Sequence, residues 1–281
     1  MSETATNVEM LVSDMVSSIP TVYFKLKKAI DDPMSSFKDF ENIIRMDSGL
    51  IVRLLKVVNS PYYGLAERVE TIERALTIVG IGQLCELVLT TSIAGQFKGL
   101  PKELVDMGVF WRNSIGCGLA AKMIALYKKK PNPEAFYTAG MLHDIGSLVI
   151  FKKKPELARE VFTICKNQKT QLTDTERKVL GFDHTQAGGA LLKAWKLPQF
   201  LYEVVLWHHD PSKSMTHRAE AGIIHVADFV SYKLNAATSG GTPPPPLRVE
   251  VVKELGLSEQ FLVTLEKELK EPIEKAVSAF M

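Results

Sequence analysis

Apolar positions in the first hundred residues recur at helical spacing, and no stretch alternates as a half-buried strand would. Phe37, Phe40, Ile43 and Ile44 fall at i, i+3, i+6 and i+7 behind Ser36. Leu50, Ile51, Leu54, Leu55 and Val58 follow Asp47 and Ser48, either of which suits an N-cap, and that run stops at Asn59-Ser60-Pro61. Upstream, Met10 to Ile19 is apolar on one face and ends at Pro20. Val22, Phe24 and Leu26 begin a segment that stops near Asp32-Pro33. Tyr62-Tyr63-Gly64 reads as a turn. Thr71 opens a helix over Ile72 to Val79, and Gly80-Ile81-Gly82 separates it from Leu84 to Ile93.

The chain turns again around Lys98-Gly99-Leu100-Pro101 into a longer helix, roughly 102–128. Its Gly108, Ser114, Gly116, Gly118, Ala120, Ala121 and Ala125 allow close approach of a neighbouring helix. After Pro131-Asn132-Pro133, the apolar run from Gly140 to Phe151 reads as one buried helix carrying an adjacent His143-Asp144. Pro155 to Lys166 is amphipathic, and Thr173 with Glu176 reads as a capping box. Asp183 suits the N-cap of a helix from His184 to Trp195. Leu197-Pro198 opens the next, whose far end carries Trp207-His208-His209-Asp210-Pro211. His217 to Leu234 is amphipathic and contains His225 and Asp228. Residues 235–246 hold Gly240, Gly241 and four prolines, the composition of a linker or exposed loop. Two helices, Leu247 to Leu255 and Ser258 to Phe280, close the chain.

Composition narrows this only slightly. The 281 residues are 46% hydrophobic and 23% charged, enough for one large core or two smaller ones. A net charge of +2 does not indicate a broad nucleic-acid surface. Lys128 to Lys130 and Lys152 to Lys154 each follow an apolar run and precede a proline, as helix stop signals do. Cys85, Cys117 and Cys165 are widely spaced and form no CxxC, which fits reduced thiols. The N-terminal residues carry no positive-then-apolar leader, and no apolar run reaches about 18 residues, the length of a membrane span. The expected location is the cytoplasm.

The candidate chemistry lies in the second half. An ionised carboxylate inside an apolar run requires a hydrogen bond, an ion pair or a metal. All six histidines lie between His143 and His225. His143-Asp144, His184 at a helix start, His208-His209 at a helix end, and Asp228 one turn after His225 can bring imidazole and carboxylate ligands to one centre. That donor set suits Fe, Mn, Zn or Mg, with two metals bridged by Asp144 as one arrangement. The plainer reading of His143-Asp144 is a buried hydrogen-bonded pair without metal, and of His184 a polar residue beside an N-cap. His217 and His225 read as packing or surface residues, and Trp111, Trp195 and Trp207 as core anchors.

Several segments agree, in order, with one family. Asp47-SGLIVRLLKVVNSPYYG, Trp111-Arg112-Asn113-Ser114, Ala139-GMLHDIG, Gly181-FDHTQAGGALLKAWKLP, Trp207-HHDP and Val226-ADFV together resemble the HDOD domain. That is a branch of the HD superfamily of metal-dependent phosphohydrolases found in bacterial signalling proteins. The resemblance covers about residues 10–235. It implies an all-α, HD-domain-like helical bundle with an N-terminal helical part over residues 1–100. A core with the His/Asp site spans 101–235, and 236–281 is a proline-rich linker with appended helices. It implies metal ligands at His143, Asp144, His184, His208, His209 and Asp228. Three positions depart from HD phosphohydrolases. Asn113 stands where a ligand His is found, Val109 where HD-GYP domains place a ligand Glu, and Ser147 where a phosphate-binding Lys often follows the pair. These departures favour a non-catalytic regulatory module, which receives its input from another signalling protein or a small ligand. The other function the resemblance implies is a divalent-metal phosphohydrolase acting on nucleotides or cyclic nucleotides.

Overall fold

A computed structural model describes residues 3–18, 21–61, 63–97, 99–235 and 243–280. Every regular element among them is helical, as the spacing of apolar residues requires. In chain order they are α1 (Glu3–Val12), a short 3-10 turn (Ser13–Ser18), α2 (Thr21–Asp31), α3 (Phe37–Arg45), α4 (Ser48–Val58), α5 (Ile72–Val79) and α6 (Ile81–Gly95). Then come α7 (Met107–Tyr127), α8 (Pro133–Leu142), α9 (Ile145–Lys153), α10 (Pro155–Gln168), α11 (Leu172–Leu180), α12 (His184–Ala194) and α13 (Gln199–Trp207). A 3-10 turn (Pro211–Lys213), α14 (Arg218–Leu234), α15 (Val249–Glu254) and α16 (Glu259–Phe280) complete the chain. No single helix among the described residues is long and apolar enough to cross a membrane.

Contacts divide the chain into two compact units, one of residues 18–98 and 271–281 and one of residues 1–17 and 99–270. In the first, local capping chemistry sets the helix starts. Ser36 and Asp39 close a capping box on α3, Asp47 accepts from the Leu50 N–H at 2.9 Å, and Thr71 accepts from the Arg74 N–H at 3.2 Å. Gly80, at φ 86, permits the turn from α5 into α6. Asn59 ends α4 and also ties the following loop, donating to Val69 O at 2.7 Å and accepting from the Val69 N–H at 2.6 Å. Phe40, Ile44, Leu50, Leu54 and Val58 are buried, whereas Phe37 stays half-exposed.

The second unit is organised on α7, which packs along α8 and α14. The small residues of α7 do what their spacing predicts. A Cβ on Gly140 of α8 would lie 2.6 Å from Gly118 Cα, so the two backbones touch. α9 lies equally close to α12 through Gly146 and Gly188. Trp195 is fully buried, and its indole N–H donates to Met15 O at 2.9 Å. Trp111 is also buried. Trp207 is only half-buried, with Lys213 Nζ 6.0 Å above its ring, so it does not anchor the core as expected. Lys152 and Lys153 close α9, and Lys153 pairs with Asp14. Gly240, Gly241, Pro20, Tyr62 and Lys98, expected in turns or linkers, lie outside the described residues. Pro243 to Pro246 run without regular structure into α15, which packs on α14.

All three cysteines are free and buried. Burial pushes the Cys85 thiol up to about 12 and raises Cys117 as well. A disulfide-exchange reagent at pH 8 is therefore expected to leave the native thiols unreacted and to titrate all 3 after unfolding in guanidinium chloride. A fast-reacting thiol in the native protein would contradict this packing.

Candidate metal centre

Each residue of the centre is placed by a helix end or a helix face. His143 and Asp144 lie between α8 and α9, His184 is the first residue of α12, His208 and His209 follow α13, and Asp228 lies in α14. The continuous helix expected from Gly140 to Phe151 is broken at the His-Asp pair. His143 keeps helical angles (φ −55, ψ −39), whereas Asp144 leaves them (φ −100, ψ 12). After the break Gly146 rests against the backbone of α12, and Asp144 faces into the cluster. His143, His184, His208 and Asp228 are buried, while the Asp144 side chain keeps 33% of its surface exposed.

Three imidazoles are held in one orientation by their Nδ1–H groups. His143 Nδ1–H donates to Gly140 O at 2.7 Å, and His208 Nδ1–H donates to Val205 O at 2.8 Å. His184 Nδ1–H donates to Glu176 Oε2 at 2.7 Å. In each case Nε2 is left toward the cluster, and an acceptor behind the ring fixes its orientation, as for metal-binding histidines. Among the described residues, buried His143 Nε2, His208 Nε2 and His209 Nδ1 have no hydrogen-bond partner. His184 Nε2 and His209 Nε2 stand 3.1 Å apart, a contact between two ring nitrogens that requires a proton or a shared cation.

The spacings suit a cation. Asp144 Oδ1 lies 3.3 Å from His184 Nε2 and 3.8 Å from His208 Nε2. Asp144 Oδ2 and Asp228 Oδ1 each lie 3.3 Å from His143 Nε2. Asp228 Oδ2 is 3.8 Å from His209 Nδ1. Metal–ligand bonds of about 2.0–2.2 Å place neighbouring ligand atoms roughly 3.0–3.5 Å apart. Two overlapping groups bring one ligand atom from each residue within 4.8 Å of the others, and the closest pairs reach 3.1–3.3 Å. Asp144, His184, His208 and His209 form one, and His143, His208 and Asp228 form the other. Asp144 turns one oxygen toward each group.

Electrostatics divide the imidazoles into two kinds. Burial pushes His143 down, but Asp144 and Asp228 outweigh it and hold the ring well above the ordinary histidine value. Burial likewise lowers His184, and Glu176 and Asp144 reverse this, raising it to about 10. His208 is pushed down to about 4 by burial and by the neighbouring His143. His209 falls well below its ordinary value through burial and the adjacent His208 and His184. Burial alone would raise the Asp144 carboxyl, but His143, His184 and His208 hold it well below the usual range.

Two supporting residues were not legible as such in the sequence. Glu176 does not cap α11, whose N-cap is Gln171. It is buried and accepts both the backbone N–H of His184 at 3.0 Å and the imidazole N–H. The S/T-x-x-E spacing suggested a cap, and only the packing of α11 beside the start of α12 redirects the carboxylate. Cys117, one turn after Asn113 on α7, lies beside His143. Of the three departures from the HD pattern, Ser147 is buried in α9 with its N–H bonded to Asp144 O at 2.9 Å. Asn113 keeps a buried Oδ1 with no hydrogen-bond partner among the described residues, while its backbone oxygen accepts from Ser231 Oγ at 2.8 Å. Val109 lies one turn before Asn113 on α7. Asp183 caps α12 as expected, accepting from the Gln186 N–H at 3.0 Å.

Glu176→Gln removes the charge behind His184 while keeping the shape. It is expected to weaken divalent-cation binding by about 10-fold or more. Competition titration with a chelating dye measures this, and unchanged affinity would show that Glu176 only fills space.

An all-helical fold and a His/Asp cluster spaced for divalent cations define the class. The chain belongs to the HDOD domain family, whose model matches residues 16–211. An uncharacterized protein of Treponema pallidum (strain Nichols) is 26% identical over 203 residues, covering 70% of this chain, which spans only 38% of that protein's length. The crystal structure of an HDOD domain protein of unknown function from Geobacter sulfurreducens matches with TM-score 0.75 at 25% identity, covering 97% of this chain and 96% of that one. A candidate phosphohydrolase from Shewanella amazonensis SB2B matches with TM-score 0.76 at 20% identity over 96% and 98% of the two chains, which shows the fold alone.

Proposed function

We propose that this chain is a regulatory module without robust hydrolysis, whose His/Asp centre would hold divalent cations through His143, Asp144, His184, His208, His209 and Asp228. The observation that carries the reading is the set of three imidazoles, His143, His184 and His208, each tied through Nδ1–H and each turning Nε2 toward Asp144. The donor set of imidazole and carboxylate suits Fe, Mn, Zn or Mg, and a cation would take the place of the Nε2 protons of His143 and His184. Such a cation would supply Lewis acidity and would lower the pKa of a water at the site. The chain's own residues supply less of what phosphoryl chemistry needs. Ser147 and Asn113 offer neither a phosphate-binding cation nor an additional imidazole, so charge developing on a phosphoryl group lacks stabilisation there. The input is a small ligand or another signalling protein.

One observation favours the second reading, a phosphodiesterase acting on nucleotides or cyclic nucleotides. One oxygen of Asp144 faces His184 and His208 and the other faces His143, an arrangement that would let the carboxylate serve two cations. Metal analysis of the purified protein, paired with assays on bis-p-nitrophenyl phosphate and cyclic dinucleotides after loading with Mn or Fe, separates the readings. Bound metal without turnover is the expected result. Turnover that disappears in Asp144→Ala would establish the hydrolase instead.

A further inference from the structure

The segment after the proline run is tied to the centre through a histidine outside the candidate ligand set. His225 of α14 is buried and uses both ring nitrogens. Its Nδ1–H donates to His208 O at 2.8 Å, and its Nε2 accepts the Arg248 backbone N–H at 3.0 Å. His208 O lies just beyond the last turn of α13, where backbone carbonyls lack helical donors. The imidazole supplies that donor, and the same ring holds a backbone 23 residues further along the chain. The Arg248 guanidinium reaches back to Asp210 Oδ1 at 3.2 Å, on the same turn as His208 and His209. α15 completes the attachment. Val251 and Leu255 lie over Gly222, where a Cβ would meet Val251 Cγ1 at 3.0 Å, and Arg218 forms a two-point pair with Glu254 at 3.1 and 2.5 Å. One turn beyond His225, on the same face of α14, Asp228 offers its carboxylate to His143.

We propose that His225 is a positioning residue that couples the docking of residues 247–257 to the cation affinity of the His/Asp centre. This rests on the reading of that centre as a metal site. With the segment docked, the His225 ring is held between two backbones and fixes the His208 turn, leaving His208 Nε2 toward Asp144. With the segment lifted, the ring loses one of its two anchors, and the turn carrying His208 and His209 loses the Arg248–Asp210 pair. A partner that captures the segment therefore lowers cation affinity, and a bound cation tightens the segment by the same factor, since coupling between two binding equilibria is reciprocal.

Arg248→Pro tests this directly. Arg248 has φ −80, which proline accepts, so the change deletes the N–H without straining the backbone. Arg248→Ala keeps the N–H and removes only the pair with Asp210. His225→Asn keeps a donor for His208 O and loses the Arg248 bond. Mn²⁺ affinity is measured by competition titration, and hydrogen exchange of amides 249–257 is followed with and without Mn²⁺. In the native sequence Mn²⁺ is expected to slow that exchange. Arg248→Pro and His225→Asn are expected to speed it and to weaken Mn²⁺ binding by about 5-fold or more, the usual range of coupling between sites, with Arg248→Ala showing a smaller loss. Freed amides with Mn²⁺ affinity unchanged would overturn the coupling and leave the metal reading standing. Unchanged exchange in Arg248→Pro would also overturn it, because the bond would not be what holds the segment. Failure of the native protein to bind Mn²⁺ or Zn²⁺ would remove the metal reading and the coupling together.

Discussion

Gly146→Ala is expected to destabilise the unit containing the centre by about 3 kcal/mol or more, at the upper end of what overpacking costs. A Cβ at this position lies 1.9 Å from His184 O and 2.5 Å from Gly188 N. Both are backbone atoms, so no rotamer change relieves the clash, and α9 and α12 must move apart. Asp144 precedes α9 and His184 begins α12, so the same movement separates Asp144 Oδ1 from His184 Nε2, now 3.3 Å apart. Stability and cation affinity should therefore fall together. Gly82→Ala is the control, because nothing lies within 4 Å of a Cβ there and the position is helical. Exchanging glycine for alanine in an exposed helix should stabilise by roughly 0.5–1 kcal/mol. Urea denaturation measures both variants, and a Gly146→Ala protein as stable as its parent would show that the helices do not meet as described.

Asp144→Asn should remove the cation at both positions, with affinity falling by about 100-fold or more. The side chain keeps its size but loses the charge that faces His143, His184 and His208. A ligand that bridges two groups of donors cannot be replaced by either group alone. Metal content after dialysis and the cation-dependent rise in unfolding temperature read the effect. A cation at 100 times its dissociation constant stabilises the native state by about 2.7 kcal/mol. That increment should vanish in the variant. By comparison, His209→Ala removes a donor of the group made by Asp144, His184 and His208, and should largely spare a cation held by His143, His208 and Asp228, which His209 approaches only at 3.8 Å from Asp228 Oδ2. An Asp144→Asn protein that binds metal like its parent would sink the reading of the centre.

The ligand set could be proposed from the sequence because its members stand beside local signals. Asp183 marks the helix start that places His184, and Pro211 marks the end that follows His208-His209. The His143-Asp144 pair was visible, but its setting was not. An apolar run from Gly140 to Phe151 reads as an unbroken helix, and only packing against α12 explains the turn at Asp144. The role of Glu176 is hidden for a related reason. A capping box is a local pattern, whereas the choice between capping α11 and holding His184 depends on which helix lies alongside. From sequence, His225 reads as a packing or surface residue, since neither His208 O nor the Arg248 N–H is near it along the chain.

By itself the sequence determined that the chain is helical, where most helices start and stop, and which imidazoles and carboxylates were available. These follow from local physics: apolar spacing at the helical period, side-chain caps, and proline or glycine at the ends. Only the tertiary structure decided the rest. It broke the helix at the His-Asp pair, fixed the orientation of three rings, and turned the two oxygens of Asp144 toward different donors. It also tied residues 247–257 to the His208 turn. The reason is that a hydrogen bond or a metal ligand acts over about 3 Å in space, and the helices that satisfy it lie tens of residues apart along the chain.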